Sequence, residues 1–227
     1  LRARGLVSAA IQRSRFTWLG YLALAYFAYV QVSLGPIMPL LREELNLSYT
    51  LGALHATALA SGSVVVGLWG DRLATRLGNA ATFWGSGSAL AISTLLFVAA
   101  PTIMLTLPAI FLMGLSGSML LTIDQALLSD EHGPNRSVAL LEANLVAAVA
   151  ASLTPLLAEL GWGWRGALLV TVVLWAGLAL MHRRTPLPAT VLPTTDEPAR
   201  KLVVCAAMSA PRSASRWSAK RPTISTC

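Results

Sequence analysis

The sequence predicts an all-α membrane protein that crosses the bilayer about six times. Of its 227 residues, 55% are hydrophobic and only 12% are charged, and the mean hydropathy is +0.64. A soluble domain of this size carries about twice that share of charge. The charged residues lie at the ends of long apolar stretches, as expected where ionised groups are costly in hydrocarbon. Lipid is therefore the predicted solvent for most of the chain.

Six stretches have about the twenty predominantly apolar residues that a membrane-spanning helix needs. In chain order they are residues 16–40, 49–70, 80–100, 102–128, 137–160 and 166–182. Arg15 precedes the first stretch, and Ser48, a residue type that caps helix starts, precedes the second. Pro101 separates the third from the fourth, Arg136 precedes the fifth, and Arg183 follows the sixth. Barrel strands alternate over about ten residues, so these lengths predict helices.

Basic residues are unevenly divided between the two membrane faces that six crossings create. One face has only Arg42 and Arg165. The other has Arg2, Arg4, Arg13, Arg15, Arg72, Arg76, Arg136, Arg183 and Arg184. Because short cytoplasmic loops carry the excess of Lys and Arg, we predict that both termini are cytoplasmic. The expected location is the cell membrane, either inner or plasma.

The chain divides into three regions: a basic cytoplasmic N-terminus at 1–15, a helical bundle at 16–182, and a basic tail rich in Ser and Pro at 183–227. The tail is predicted to be disordered, because it lacks hydrophobic periodicity. The net charge of +7 comes largely from the two ends, so we expect no nucleic-acid partner. The only cysteines, Cys205 and Cys227, lie in the tail, which excludes a disulfide framework within the bundle.

Glycine and charge cluster after the second stretch, at Gly67, Asp71, Arg72, Arg76 and Gly78. The spacing resembles the signature loop between the second and third spans of the major facilitator superfamily (MFS). In this interpretation Gly67 permits close helix contact, and the Asp71-Arg72 pair bridges helices in one conformational state. The alternative is a solvated loop with no role in transport.

Three further segments resemble this family at matching spans: residues 35–48 with their Pro pair, residues 129–136 with acid, Pro and Arg, and Trp164-Arg165. The resemblance covers 16–182. It implies the N-terminal six-helix half of an MFS transporter, truncated, with two inverted three-helix units. It also implies secondary transport of a small solute, with a second six-helix bundle supplied by another copy or by a missing C-terminal half.

The sequence departs from the family at several positions. Ala74 stands where the signature has Gly, and Thr75-Arg76 replaces a basic pair. Ile110 stands at the basic position of the fourth span, and Pro155 is not part of a Gly-Pro-x-x-Gly-Gly run. The resemblance therefore does not imply drug/proton antiport.

Two carboxylates fall inside the predicted spans. Asp124 lies about one turn from the end of the fourth span, and Glu142 lies between one and two turns into the fifth. Ionisable groups in spans are costly and often functional, so both are candidates for proton coupling or gating and are expected at similar depth. The alternative is structural: they cap helices or pair with Arg72, Arg76 or Arg136.

The remaining polar side chains expected to face the bundle interior are Gln31, His55, Gln125 and Asn144. We predict that Gln31, His55 and Asn144 line a solute cavity. A lone histidine in a span is also commonly a hydrogen-bonded structural residue, so both interpretations of His55 stay open.

Two other function classes are alternatives to transport. Gly114, Ser116 and Gly117 resemble the nucleophile motif of rhomboid proteases, but residues 166–181 contain no His to act as general base, and His182 lies at the edge. We interpret Gly114, Ser116 and Gly117, together with Ser118, as helix-packing residues. No nucleotide-binding or zinc motif occurs, so no enzyme, cofactor or metal is expected. The other alternative is a membrane remnant or scaffold that moves no solute.

Overall fold

The computed structural model of the chain describes residues 13–157, 163–182, 185 and 187. The helices are α1 (Arg15–Glu44), α2 (Tyr49–Leu77), α3 (Asn79–Ala99), α4 (Ile103–His132), α5 (Arg136–Ser152), α6 (Thr154–Leu157) and α7 (Gly163–His182). A 3-10 turn, Gly133–Asn135, joins α4 to α5. The described residues include no strand, which confirms the all-α prediction. The predicted N-terminal region up to residue 12 and most of the predicted tail lie outside the described residues.

Five segments are long and apolar enough to cross a membrane: α1, α2, α3, α7 and the continuous run Ile103–Ser152. This run contains both α4 and α5, because only the short 3-10 turn separates them. By itself α5 has 17 residues, fewer than the ~20 of a typical span. The predicted count of six spans is therefore not confirmed by length and composition.

Contacts along α1 fix the directions of α4 and α5. They are Thr17–His132 and Phe27–Gly117 with α4, Tyr21–Glu142 with α5, and Ser33–Thr154 with α6, which directly follows α5. Residue numbers in α4 fall as those in α1 rise, so these two helices are antiparallel. Residue numbers in α5 and α6 rise with those in α1, so this segment runs parallel to α1. The chain thus reverses direction at the 3-10 turn.

Small residues bring α2 and α4 into close contact. A Cβ atom at Gly114 would collide with the main-chain carbonyl of Leu59, and one at Gly62 would collide with the main chain of α4. Ser118 donates a hydrogen bond to Ser63 over 2.7 Å. The packing role predicted for Gly114 and Ser118 is confirmed, while Gly62 was not singled out from the sequence. Such positions let two helix backbones approach without a side chain between them.

The ends of α1 and α2 follow local chemistry. Ser48 caps α2 as predicted, because its hydroxyl accepts a hydrogen bond from the Leu51 amide over 3.3 Å. Pro36 and Pro39 lie inside α1, which continues to Glu44 although its predicted end was residue 40. A proline removes one intrahelical hydrogen bond, and here this does not end the helix.

The predicted signature loop is part of a helix. We expected the second span to end near residue 70, but α2 continues to Leu77. Nothing from Asp71 to Arg76 breaks a helix, and the turn comes at Gly78, whose φ of 81° favours glycine. The signature residues therefore occupy the last turns of α2, and the loop assignment was wrong for Asp71, Arg72 and Arg76.

Candidate functional site

A cleft of about 500 Å³ lies between α1 and α2, and Ile110 of α4 is also part of its lining. Its walls are mostly apolar, and its polar lining includes Gln31, Arg42 and His55. Small-molecule sites commonly have volumes of ~300–1,000 Å³ and this mixture of apolar walls with few polar groups. The contribution of α4 to the lining is apolar because Ile110 occupies the position where the family resemblance expects a basic residue. We call this cavity the α1–α2 cleft.

His55 is oriented by bonds to two helices. Its Nδ1 lies 3.0 Å from the Leu51 carbonyl, and its Nε2 lies 2.9 Å from the Thr106 hydroxyl of α4. A carbonyl only accepts hydrogen bonds, so Nδ1 carries the proton of the bond to Leu51, while Nε2 shares a hydrogen bond with the Thr106 hydroxyl. The side chain is fully buried. His55 therefore joins α2 to α4 while its ring forms part of the cleft wall.

The other predicted polar residues are not all brought together. Gln31 lines the α1–α2 cleft and is half-buried, and its amide has no hydrogen-bond partner in the described part of the chain. Asn144 instead lies exposed on α5, where its amide donates to the Leu140 carbonyl over 2.7 Å. Neither Asn144 nor the half-buried Gln125 lines the cleft. Gln31 and His55 share one cavity, and Asn144 lies elsewhere.

Asp124 is fully buried in α4. Neither of its carboxylate oxygens has a hydrogen-bond partner among the described residues. It lies against Gly20 of α1, where an added Cβ atom would be 3.0 Å from Oδ1 and 2.9 Å from Leu128 Cδ2. An ionised carboxylate without a partner is costly to bury, so a group in this position needs a proton or a partner.

Glu142 has a very different environment. It accepts hydrogen bonds from Arg13 Nη2 over 2.7 Å, from Arg13 Nε over 3.1 Å and from the Tyr21 hydroxyl over 2.8 Å. Its side chain is 28% exposed, and that of Arg13 is 45% exposed. The hydrogen bonds to Glu142 raise the pKa of Arg13, so the guanidinium stays charged. Pairing with an arginine is one of the structural alternatives predicted for Glu142, but its partner is Arg13 rather than Arg72, Arg76 or Arg136.

The signature residues have exposed side chains. Asp71, Arg72 and Arg76 make no ion pair within the described part of the chain. A Cβ atom at Gly67 would have no neighbour within 4 Å, and the same holds for Gly78. The helix contact expected at Gly67 and the charge bridge expected at the Asp-Arg pair are thus not formed among these residues.

A second polar cluster, not predicted from the sequence, joins three helix ends. Arg165 Nη2 lies 2.6 Å from Glu44 Oε1, and Trp164 Nε1 donates to Glu44 Oε2 over 3.0 Å. Arg165 Nε donates to the Val98 carbonyl over 3.1 Å. The cluster links the end of α1 to the start of α7 and the end of α3. The family resemblance had drawn attention to Trp164-Arg165, but Glu44 is 121 residues distant in sequence from its Arg165 partner.

The serine of the protease-like motif is bonded within its own helix. Ser116 Oγ donates to the Leu112 carbonyl over 2.6 Å. His182 Nδ1 lies 3.3 Å from the Thr185 hydroxyl. No histidine bonds Ser116 in the portion of the chain described, so the nucleophile and general base of a serine protease are not paired there.

The chain matches a known protein family along most of its length. Residues 17–222 match the sequence profile described as Major Facilitator Superfamily. The match begins in the first turn of α1 and continues past α7, so it includes all the helices described above. No individual curated protein matches the sequence.

Proposed function

The chain belongs to the Major Facilitator Superfamily, and we propose that it moves a small solute across the membrane with the α1–α2 cleft as part of the solute path. Members of this superfamily are membrane transporters rather than enzymes. The observation that carries the proposal is the cleft itself, which lies between membrane-length helices and offers the free amide of Gln31 beside apolar walls. Transport of this kind is secondary and needs no nucleotide hydrolysis.

We further propose six crossings, with both termini on the cytoplasmic side of an inner or plasma membrane. The antiparallel arrangement of α4 and α5 supports two crossings within Ile103–Ser152. The excess of basic residues on one predicted face supports the orientation. The family relationship supports two inverted three-helix units, one made of α1, α2 and α3 and the other of α4, α5 with the short α6 that follows it, and α7.

The two carboxylates receive different roles in this proposal. Asp124 is the proton-coupling group, because it is buried without a partner and can take up a proton in place of one. Glu142 acts in gating, because its bonds to Arg13 and Tyr21 connect α5 to α1 and can open when the helices separate. His55 positions α2 against α4 and forms part of the cavity wall with Gln31.

We propose that Asp71 and Arg72 stabilise one access state by contacts with a second six-helix bundle. Their exposure at the end of α2 supports this, since both lack a partner in the described residues. Large apolar side chains on α2, including Leu68 and Trp69, are more than half exposed and suit contact with lipid or with such a bundle. Asn144, exposed on α5 outside the α1–α2 cleft, is proposed to line the part of the solute path that lies between the two bundles.

Proton flux in reconstituted vesicles tests the proposal. The full chain is placed in liposomes containing a pH-sensitive dye, and a panel of small solutes is added across an imposed pH gradient. At least one solute is expected to change internal pH with wild-type chain, and this response is expected to vanish with Asp124→Asn. If wild type and a covalently linked tandem of two copies both move no solute, the chain is a non-transporting scaffold.

A further inference from the structure

One guanidinium at the end of the bundle where α1 leads into α2 has no acidic partner. Arg165 at the same end is paired with Glu44 over 2.6 Å. The guanidinium of Arg42 makes no ion pair or hydrogen bond within the described part of the chain, and its Nε is buried without a partner. A guanidinium carries five N–H donors, so Arg42 is an unused anion-binding group in the cleft wall.

The position of Arg42 depends on two residues of α2. Its Cζ lies 3.6 Å from the centroid of the Tyr49 ring, a cation–π contact that fixes the plane of the guanidinium. Gly52 provides room for the side chain, since an added Cβ atom there would lie 2.6 Å from Arg42 Cδ. Stacking occupies one face of the guanidinium, so its N–H edges remain available for an acceptor.

Arg42 lies where the α1–α2 cleft meets a more polar cavity of about 500 Å³ that also includes Glu43 and Asn46. It is thus at the mouth of the cleft, between apolar walls and solvent. Glu43 is exposed, and a charge in contact with water is strongly screened. A negative group that approaches the mouth therefore meets Arg42 as the unpaired charge nearest the apolar interior.

We infer that the mouth of the cleft binds a small organic anion consisting of a carboxylate on an apolar body. The carboxylate bonds the free edge of Arg42, and the apolar body lies along the wall formed by Leu34, Met38 and Ile110. The amide of Gln31 is available to a second polar group of the ligand. This inference rests on the proposed function, because it names the class of solute that would enter the path.

Binding of benzoate to the full chain in lipid nanodiscs tests the inference, with the uncharged benzamide as its matched analogue. We expect benzoate to bind at least ~10-fold more tightly than benzamide, since a charge-assisted pair of hydrogen bonds is lost with the amide. Arg42→Gln is expected to weaken benzoate binding by at least ~10-fold, and Gly52→Ala is expected to weaken it although the charge remains. Arg136→Gln, at the opposite end of the bundle, removes the same charge and is the control.

Three results would overturn the inference: no benzoate binding by wild type at millimolar concentration, equal binding of benzoate and benzamide, or unchanged benzoate binding by Arg42→Gln. Size-exclusion profiles establish that each variant is folded, and Arg42→Lys retains the charge if the Gln variant does not fold. Arg42-dependent benzoate binding without movement of any solute would refute the proposed transport and leave the inference standing. Transport of a neutral solute without benzoate binding would refute the inference and leave the proposed transport standing.

Discussion

Asp124 and Glu142 lie beside consecutive residues of α1, Gly20 and Tyr21, yet only Glu142 has bonding partners. The difference arises from how deeply each carboxylate is buried within the protein and from the presence of one arginine. Arg13 precedes α1 and reaches Glu142, which is partly exposed, whereas Asp124 is enclosed between α4 and α1. The sequence makes both carboxylates candidates for the same roles, but their different partners mean that each is tested by a different experiment.

Asp124→Asn removes the charge and keeps the shape of the side chain. We expect the variant to unfold at a temperature no lower than wild type, because the carboxylate has no hydrogen bond to lose. We also expect loss of proton flux coupled to solute. Thermal unfolding in detergent and the vesicle assay measure the two effects. Glu142→Gln is the matched control, and equal loss of coupling in both variants would contradict separate roles.

The Arg13–Glu142 ion pair is expected to contribute little to stability. Both side chains are partly exposed, at 45% and 28%, and exposed pairs contribute only ~0.2–1 kcal/mol. A double-mutant cycle with Arg13→Gln and Glu142→Gln, followed by chemical unfolding in detergent, should give a coupling energy in this range. The coupling should fall further at high salt. A value above ~2 kcal/mol would show that the pair is shielded from water.

Gly114→Ala should destabilise the bundle by ~1–3 kcal/mol, because the added methyl group collides with the Leu59 carbonyl and forces α2 away from α4. Gly67→Ala is the matched control within the same pair of helices. No atom lies within 4 Å of its added methyl group, and Ala is favoured over Gly in a helix by ~0.5–1 kcal/mol. Unfolding temperatures of the two variants should therefore move in opposite directions. Equal shifts would refute the close contact.

The sequence was sufficient to place the helices where apolar runs are bounded by strong signals, as at Ser48 before α2. It failed at the end of α2, because loss of apolar character near residue 70 does not by itself stop a helix. The helix ends only where Gly78 adopts a positive φ and turns the chain toward α3. The site could be predicted only in part, since contacts depend on tertiary packing. Glu142 is 129 residues from Arg13, and no local pattern relates them.

Labelling of single cysteines tests the proposed orientation. In a background with Cys205 and Cys227 replaced by Ser, a cysteine at Thr75 should resist a membrane-impermeant thiol reagent in intact cells, and one at Glu43 should react. Both positions are exposed on the surface of the described bundle. Glu43 is preferred to Asn46, whose φ of 51° would strain a cysteine. The opposite pattern of labelling would invert the orientation.

The length of α1 has a consequence for its two ion pairs. Its 30 residues extend over ~45 Å, whereas the hydrocarbon core of a bilayer is only ~30 Å thick. Even when tilted, such a helix brings Arg13–Glu142 close to one water–lipid boundary and Arg165–Glu44 close to the other. Each pair is then screened by the ions of a different compartment. Salt added on one side of the membrane should therefore loosen one end of α1 and leave the other attached, which makes the helix responsive to ionic asymmetry.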